Sequence, residues 1–597
     1  MNSLSELRYT LSESFRNEIA LKKPGCFLAM QSRLLKTVCW INARIRRLKF
    51  VQMNLFRKCD VILINLPKSE SLAIFPIGIA SIAAYLEKHG VRVLAVDMNS
   101  QFIGKKLLSI FIRIKKPKLV GLSAITCQIN YAYYVCKYLR AKVPEVNLVY
   151  GGVHPSALPE EPFKKGCADF VIVCEGEQTF LELYESLVRN SDFSKVDGLV
   201  HKDKKGGIVY NKPREFIKDI NNLPMPAYHL FDLYSYIIDI HIYPYNRLLA
   251  MDLMTSRGCP HNCSYCSSPF LYRRRVRFRS PEKIADEIEF LIKRYKFKTF
   301  HFHDDDFLLD VKRIERLCQI LIERKLNIRF IFLTNVNTLL KNLHILPLLK
   351  KAGCVGIEFG IESVNKEVLS KMNKSQDTEN LLRVAKMMDK EGITPMYLVM
   401  SFSPGETLYS SYETTRMIQK LTEGKNINVS YYLQPHHHNF CLGMLTTPYP
   451  GSELYKTAKK QGIILAKNYY YYRPENINFI PFSFLEDTPI KIKNLSYEAF
   501  SDEIKKYKQA ILCHVTAKFN VFPHSFYNRH CLDYCKYVDF LYDLYLLCDG
   551  KRNVKAVSGV VLKKSGVSNM GYTCAGLRFL AMFGIISSKS IACLSKQ

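Results

Sequence analysis

The sequence predicts two α/β domains in succession. The first is a doubly wound, Rossmann-like parallel sheet and the second a partial (β/α)6 TIM-type barrel, followed by a mostly helical C-terminal extension. Three observations predict this. Short apolar runs alternate with stretches of helical period from Cys59 onward. A proline-punctuated stretch at residues 222–230 interrupts the alternation. A second alternating series then begins near Met251 and continues for six strand–helix units.

Residues 1–57 read as a basic helical preface. Residues 61–65 (VILIN) are a short apolar run stopped by Pro67, as a strand buried on both faces should be. Residues 77–89 have helical period and stop at Gly90, and 91–97, 119–123, 148–152 and 170–174 supply four more strands. Residues 58–195 thus form the first domain. Its ligands belong outside the carboxyl ends of the strands, where the loops at 65–71, 123–128, 151–155 and 174–178 would gather. Residues 196–245 read as a linker. Within 246–465 the expected strands are 251–255, 299–303, 329–333, 356–359, 395–400 and 428–433, with helices such as 280–294 and 311–325 between them. The active-site loops of such a barrel lie at the C-terminal ends of its strands. Residues 466–539 read as a helical extension and 540–597 as a separate small unit.

At 597 residues the chain is too long for one hydrophobic core. Its apolar share of 48% and charged share of 23% are those of a globular protein. No run of about 18 uncharged apolar residues predicts a membrane span, and no apolar segment before a small-residue cleavage site predicts secretion. A cytoplasmic location is therefore expected, with the 19 cysteines serving as thiols or metal ligands. The net charge of +31 suits a nucleic acid or an acidic membrane, or reflects a lysine-rich proteome. No basic run is interleaved with base-stacking aromatics, so nucleic acid is not expected as a partner. The basic, partly amphipathic residues 44–58 leave peripheral membrane contact open.

The densest chemistry lies directly after the first barrel strand, in Arg257-Gly258-Cys259-Pro260-His261-Asn262-Cys263-Ser264-Tyr265-Cys266. The C-x3-C-x2-C spacing lets Cys259, Cys263 and Cys266 converge from one tight loop onto three irons of a 4Fe-4S cubane, leaving the fourth iron open. An open iron can chelate the amino and carboxylate groups of S-adenosylmethionine (SAM) and pass an electron into its sulfonium. A structural zinc knuckle is the competing reading, but it wants four ligands in a closed shell, and His261 would have to bend back within the loop.

This loop, with Tyr265 before its last cysteine, resembles the radical SAM signature. Later segments resemble motifs of the same superfamily in order along the barrel. His303-Asp304-Asp305-Asp306-Phe307 resembles the acidic motif, which implies Asp304 and Asp305 near the SAM amino group. Gly360-Ile361-Glu362-Ser363 resembles the GIES motif, implying Glu362 and Ser363 at SAM's polar groups and ribose. Ser403-Pro404-Gly405-Glu406-Thr407 resembles the PGET motif, with Glu406 near the adenine, and Thr447-Pro448-Tyr449-Pro450-Gly451 the motif that closes the barrel.

The first domain resembles the cobalamin-binding domain of one radical SAM subgroup. The matching residues are Phe75-Pro76-Ile77-Gly78, Gly151-Gly152-Val153-His154-Pro155 and Glu175-Gly176-Glu177. The resemblance implies cobalamin contacts at Gly78, Gly151, Gly152, His154, Glu175, Gly176 and Glu177. No DxHxxG is present, which implies a cobalt without a protein histidine. Residues 540–597 have a texture similar to PqqD-like winged helices, which dock a precursor peptide by strand addition; a generic helical cap is the other reading. His436-His437-His438 cannot readily converge on one ion, and the cysteines and histidines between Cys513 and Cys535 match no metal spacing.

The resemblance implies a C-methyltransferase that uses a 5′-deoxyadenosyl radical and methylcobalamin to methylate an unactivated carbon of a natural product, peptide or lipid. An external one-electron reductant of flavodoxin or ferredoxin type would feed the cluster. A radical SAM cyclase or rearrangement enzyme, a tRNA methylthiotransferase-like enzyme and a non-enzymatic cobalamin sensor are the alternatives.

Overall fold

The structure is a computed structural model. It describes residues 50–460, apart from 53, 55, 68–73, 99, 102, 237, 241–247, 402, 407 and 423–443. The expected strand at 428–433, the helical extension, the winged-helix segment, the triple histidine and the Cys513–Cys535 group all lie outside the described residues.

Five apolar runs form the parallel core of the first sheet: β1 (Val61–Asn65), β2 (Val93–Asp97), β3 (Leu119–Ser123), β4 (Leu148–Gly151) and β5 (Phe170–Ile172). Their order is 2-1-3-4-5, so the chain reverses its direction of travel between β1 and β3. That switch point opens a crevice at the carboxyl ends of these strands. The sheet does not stop at residue 195. β6 (Leu199–Lys202) and β7 (Ile208–Tyr210) add an antiparallel hairpin to its edge, so the first part of the expected linker is sheet. The hairpin turns at Asp203, whose Oδ1 accepts from the Lys205 and Gly207 N–H groups at 2.8 Å each.

Tyr228 and Tyr236 of the expected linker pack between the domains. Phe75 of the first domain stacks on Tyr228 at 5.2 Å and meets Tyr236 edge-on at 5.5 Å. Tyr236 donates its hydroxyl to Asp97 Oδ2 (2.8 Å), and Tyr228 donates to Glu287 on a barrel helix. One apolar core consequently runs through both domains.

The second sheet begins with β8 (Ile238–Ile240), antiparallel to β9 (Leu248–Leu253). β10 (Ser256–Arg257) and β11 (Arg277–Phe278) form a short ribbon flanking the cysteine loop. Then follow β12 (Thr299–Phe302), β13 (Arg329–Thr334), β14 (Cys354–Glu362), β15 (Thr394–Ser401) and β16 (Met444–Leu445), parallel throughout in the order 16-15-14-13-12-9. Met251, Leu253, Phe300, Phe302, Ile357, Phe359 and Ile361 belong to the apolar core beneath the helices. Strand alternation therefore turns Asp252, His301, Glu358, Gly360 and Glu362 to the other face, the barrel interior.

Candidate functional site

The cysteine loop leaves β10 through Gly258, whose φ of +91° suits glycine alone; a Cβ there would lie 2.2 Å from the Arg275 carbonyl. Four contacts then pin the loop. Arg274 Nε donates to the Pro260 carbonyl (2.9 Å) and Asn373 Nδ2 to the Asn262 carbonyl (2.7 Å). Ser264 N–H donates to the Met372 carbonyl (2.9 Å), and Leu454 N–H donates to the Ser264 carbonyl (2.7 Å). Leu454 stands in the helix after the barrel-closing motif, so that helix is tied to the loop. Cys259, Cys263 and Cys266 are free and half-buried. Burial pushes the Cys259 and Cys266 thiols up, to about 12 and about 11, and raises Cys263 as well. Protonated thiols crowded in one loop suit a metal cluster, because bound iron displaces their protons and takes the thiolates.

The polar groups above this loop fall into two sets. Tyr265 donates to Glu362 Oε1 at 2.9 Å, and Lys374 pairs with the same oxygen at 2.8 Å. Glu362 sits at φ +59°, where the register between β14 and β15 slips, and Gly360 leaves the room its carboxylate needs. Left-handed backbone at a glutamate costs about 1–3 kcal/mol and is characteristic of functional sites. Asp305 accepts from the Ser268 hydroxyl (2.6 Å). Ser363 accepts from Asn365 N–H and meets Thr414 Oγ1, both at 3.2 Å, and Glu406 folds back onto Ser403 N–H at 2.9 Å.

Asp304 is turned toward the residues that follow β9. Its carboxylate is buried and accepts from Thr255 N–H and Oγ1 (3.1 and 3.0 Å) and from the Ser256 hydroxyl. Burial raises its pKa, opposed by these donors and by Arg313. Asp304 thus fastens Thr255 and Ser256, the link from β9 into β10 that leads to the cysteine loop.

A cavity of about 290 Å3 opens over the switch point of the first sheet. Gly78, Gly151, Gly152 and Gly176 line one side, and Arg257 and Tyr272 beside the cysteine loop line the other. A Cβ on Gly78 or Gly151 would meet nothing within 4 Å, so both glycines leave the space to a ligand. At Gly152 (φ +97°) a Cβ would strike the Ala124 carbonyl at 2.7 Å. None of the described lining residues is a histidine. His154 is fully buried, with Nδ1 3.2 Å from Thr126 Oγ1 and Nε2 3.3 Å from Glu161, so both ring nitrogens are engaged away from the cavity. These features fit a bulky, planar cofactor bound without a histidine ligand.

Glu175 and Glu177 are held by arginines of the barrel. Arg257 gives Nη1 to Glu175 (2.8 Å) and Nη2 to Glu177 (2.6 Å), while Arg277 binds both Glu175 oxygens at 2.8 and 2.9 Å. Burial would raise the Glu175 pKa, but Arg277 and Arg257 together hold it below the usual range. Both carboxylates border the cavity, yet their hydrogen bonds run across to the barrel.

The chain matches the B12 binding domain family over residues 71–184 and the Radical SAM superfamily over residues 253–416. The chain carries a radical SAM domain and a B12-binding domain. An uncharacterised methyltransferase of Pyrococcus horikoshii is 28% identical over 436 residues, 72% of this chain and 86% of the relative. The anaerobic magnesium-protoporphyrin IX monomethyl ester cyclase of Rubrivivax gelatinosus is 28% identical over 57% of this chain and 62% of its own length. Among solved structures, the cobalamin-dependent SAM radical enzyme OxsB, with aqua-cobalamin and SAM bound, superposes with a TM-score of 0.60. The match covers 90% of this chain and 80% of that one at 16% identity, which is a likeness of fold.

Sequence reasoning missed several residues of this radical SAM site. Lys374 is an ordinary surface lysine by pattern, and Arg257 and Arg277 are two of many arginines flanking the loop. Only the placement of Arg257 directly before Gly258-Cys259 signalled a role.

Proposed function

We propose that the chain is a cobalamin-dependent radical SAM methyltransferase acting on carbon. One observation carries the reading: the glycine-lined cavity of the B12-binding domain is closed by residues that flank the cluster loop of the barrel. When bound, the 4Fe-4S cluster with SAM supplies a 5′-deoxyadenosyl radical, and cobalamin supplies the methyl group. Cys259, Cys263 and Cys266 would hold the cluster with one iron open to SAM. Tyr265 and Lys374 orient Glu362 toward SAM's hydroxyls, while the glycines at the sheet's carboxyl edge admit the corrin. Apolar lining residues such as Ile77, Val149 and Leu271 would help keep water from a carbon radical once the cofactor fills the cavity. The substrate is a small molecule, and the electrons come from an external flavodoxin- or ferredoxin-type donor. The methyltransferase relative aligns over more of this chain than the cyclase does, which favours methyl transfer.

Anaerobically reconstituted protein, given cobalamin, SAM and a reductant, should release 5′-deoxyadenosine and S-adenosylhomocysteine. Any one of Cys259→Ala, Cys263→Ala or Cys266→Ala should abolish 5′-deoxyadenosine. Its persistence in the triple variant would refute the site. Deoxyadenosine without any S-adenosylhomocysteine would point to a cyclase instead.

A further inference from the structure

The barrel interior holds a polar cluster with no part in the chemistry above. Asp252 on β9 and His301 on β12 are register partners, with Asp252 Oδ1 2.9 Å from His301 Nδ1. On its other side, His301 Nε2 lies 3.5 Å from Glu358 Oε2 on β14. His303 continues the β12 ladder through its N–H to the Leu253 carbonyl (2.7 Å), and its ring meets that of His301 edge-on at 5.2 Å. Asp252, His301 and His303 can each bring one donor atom to within 4.8 Å of the others. Asp252 is fully buried and Glu358 is 5% exposed. One oxygen of each, Asp252 Oδ2 and Glu358 Oε1, is buried with no hydrogen-bond partner. Buried carboxylate oxygens left in this way cost free energy unless a cation completes them.

We propose that Asp252, His301 and His303 form a binding site for a divalent first-row transition-metal ion, separate from the iron–sulfur cluster. Two imidazoles and one carboxylate are a donor set of intermediate softness, suited to zinc or ferrous iron. Bonds of about 2.1 Å place neighbouring ligands about 3.0 Å apart in an octahedral site and about 3.4 Å apart in a tetrahedral one. The Asp252–His301 pair, at 2.9 Å, therefore needs only a small opening to share an ion. Glu358 has the position of an outer carboxylate: by accepting the Nε2–H of His301 it selects the tautomer whose Nδ1 faces the ion. A divalent ion also balances both buried carboxylates, whereas one proton on His301 balances only one. Three protein ligands leave coordination positions free, and His303, exposed at the end of β12, sets them toward the barrel mouth. A substrate carrying a hydroxyl, carboxylate or amine could be anchored there while a neighbouring carbon reacts.

Zinc is the probe. Full-length, cluster-reconstituted protein is dialysed against Zn2+ buffered by a competing chelator, and zinc and iron are both counted by plasma mass spectrometry. Wild type should retain one zinc per chain. His303→Ala, at an exposed position, should weaken retention at least tenfold with the iron content unchanged. Glu358→Gln should weaken it about 10- to 100-fold, the usual effect of removing an outer partner. Wild type that takes up no zinc, or zinc held equally by wild type and His303→Ala, would overturn the proposal. Should Asp252→Asn lose its cluster through misfolding, the His303 and Glu358 variants still decide the question.

Discussion

Glu175→Ala removes the centre of the ion-pair clamp between the two domains. Glu175 is 8% exposed and binds two guanidinium groups. After truncation, Arg277 keeps the Ile217 carbonyl (3.0 Å) and its stacking over Phe216 (4.8 Å) but no carboxylate, while Arg257 keeps Glu177 (2.6 Å). Removing one partner from a buried ion pair costs about 3–5 kcal/mol. Glu177 still compensates Arg257, so the lower end, about 3 kcal/mol, is expected here. For domains of this size each kcal/mol moves the midpoint by about 2–4 °C, giving a fall of roughly 6–12 °C. The assay is calorimetry on protein free of cobalamin, with Glu175→Gln as the variant that keeps the volume and loses the charge. A carboxylate that served only to touch the cofactor would leave this cobalamin-free protein unchanged. A fall of less than about 2 °C, with the loss confined to cobalamin affinity, would therefore refute the clamp.

Gly78→Leu should weaken cobalamin binding, measured by equilibrium dialysis, without lowering the midpoint of the free protein, since its side chain enters open space. Gly258→Ala should abolish cluster assembly, read as iron content, because its Cβ cannot coexist with the Arg275 carbonyl. Tyr265→Phe leaves Glu362 with Lys374 alone; losing a hydrogen bond to a charged group should weaken SAM binding roughly tenfold or more by calorimetric titration. Because the folded pKa of Glu175 lies below its ordinary value of 4.5, its contribution is complete above that pH and is lost as pH falls through the folded value. From about pH 5 to about pH 3, wild type should therefore lose midpoint temperature more steeply than Glu175→Gln.

The parallel strands were legible because burial on both faces makes them short apolar runs; VILIN became β1 at the expected bounds. The helices expected at 280–294 and 311–325 appear as Pro281–Tyr295 and Val311–Glu323, set by the caps Ser280 and Asp310. The β6–β7 hairpin was missed although Asp203 and two glycines marked its turn, because its strands are short and half polar. Asp304 and the Glu175 pair were read by motif, and a motif gives residue type without the direction a side chain takes. Neither the Arg257–Glu175 pairing nor the Asp252–His301–Glu358 line has any local signature. A single polar residue inside an apolar run acquires meaning only when neighbouring strands bring others beside it.

The clamp also imposes an order on biosynthesis. Glu175 meets partners that lie 82 and 102 residues further along the chain. At about 5–20 residues per second, the ribosome delivers Arg257 some 4–16 s after Glu175. The sheet up to β5 depends on no later strand for its pairing, so it can close during that interval with two acidic side chains unmatched at its rim. Newly made chains would thus pass through a stage in which the first domain has its shape and the cofactor crevice has only one wall. Cobalamin arriving during that stage would meet an open groove, and arrival of the cysteine loop would then close the second side over it.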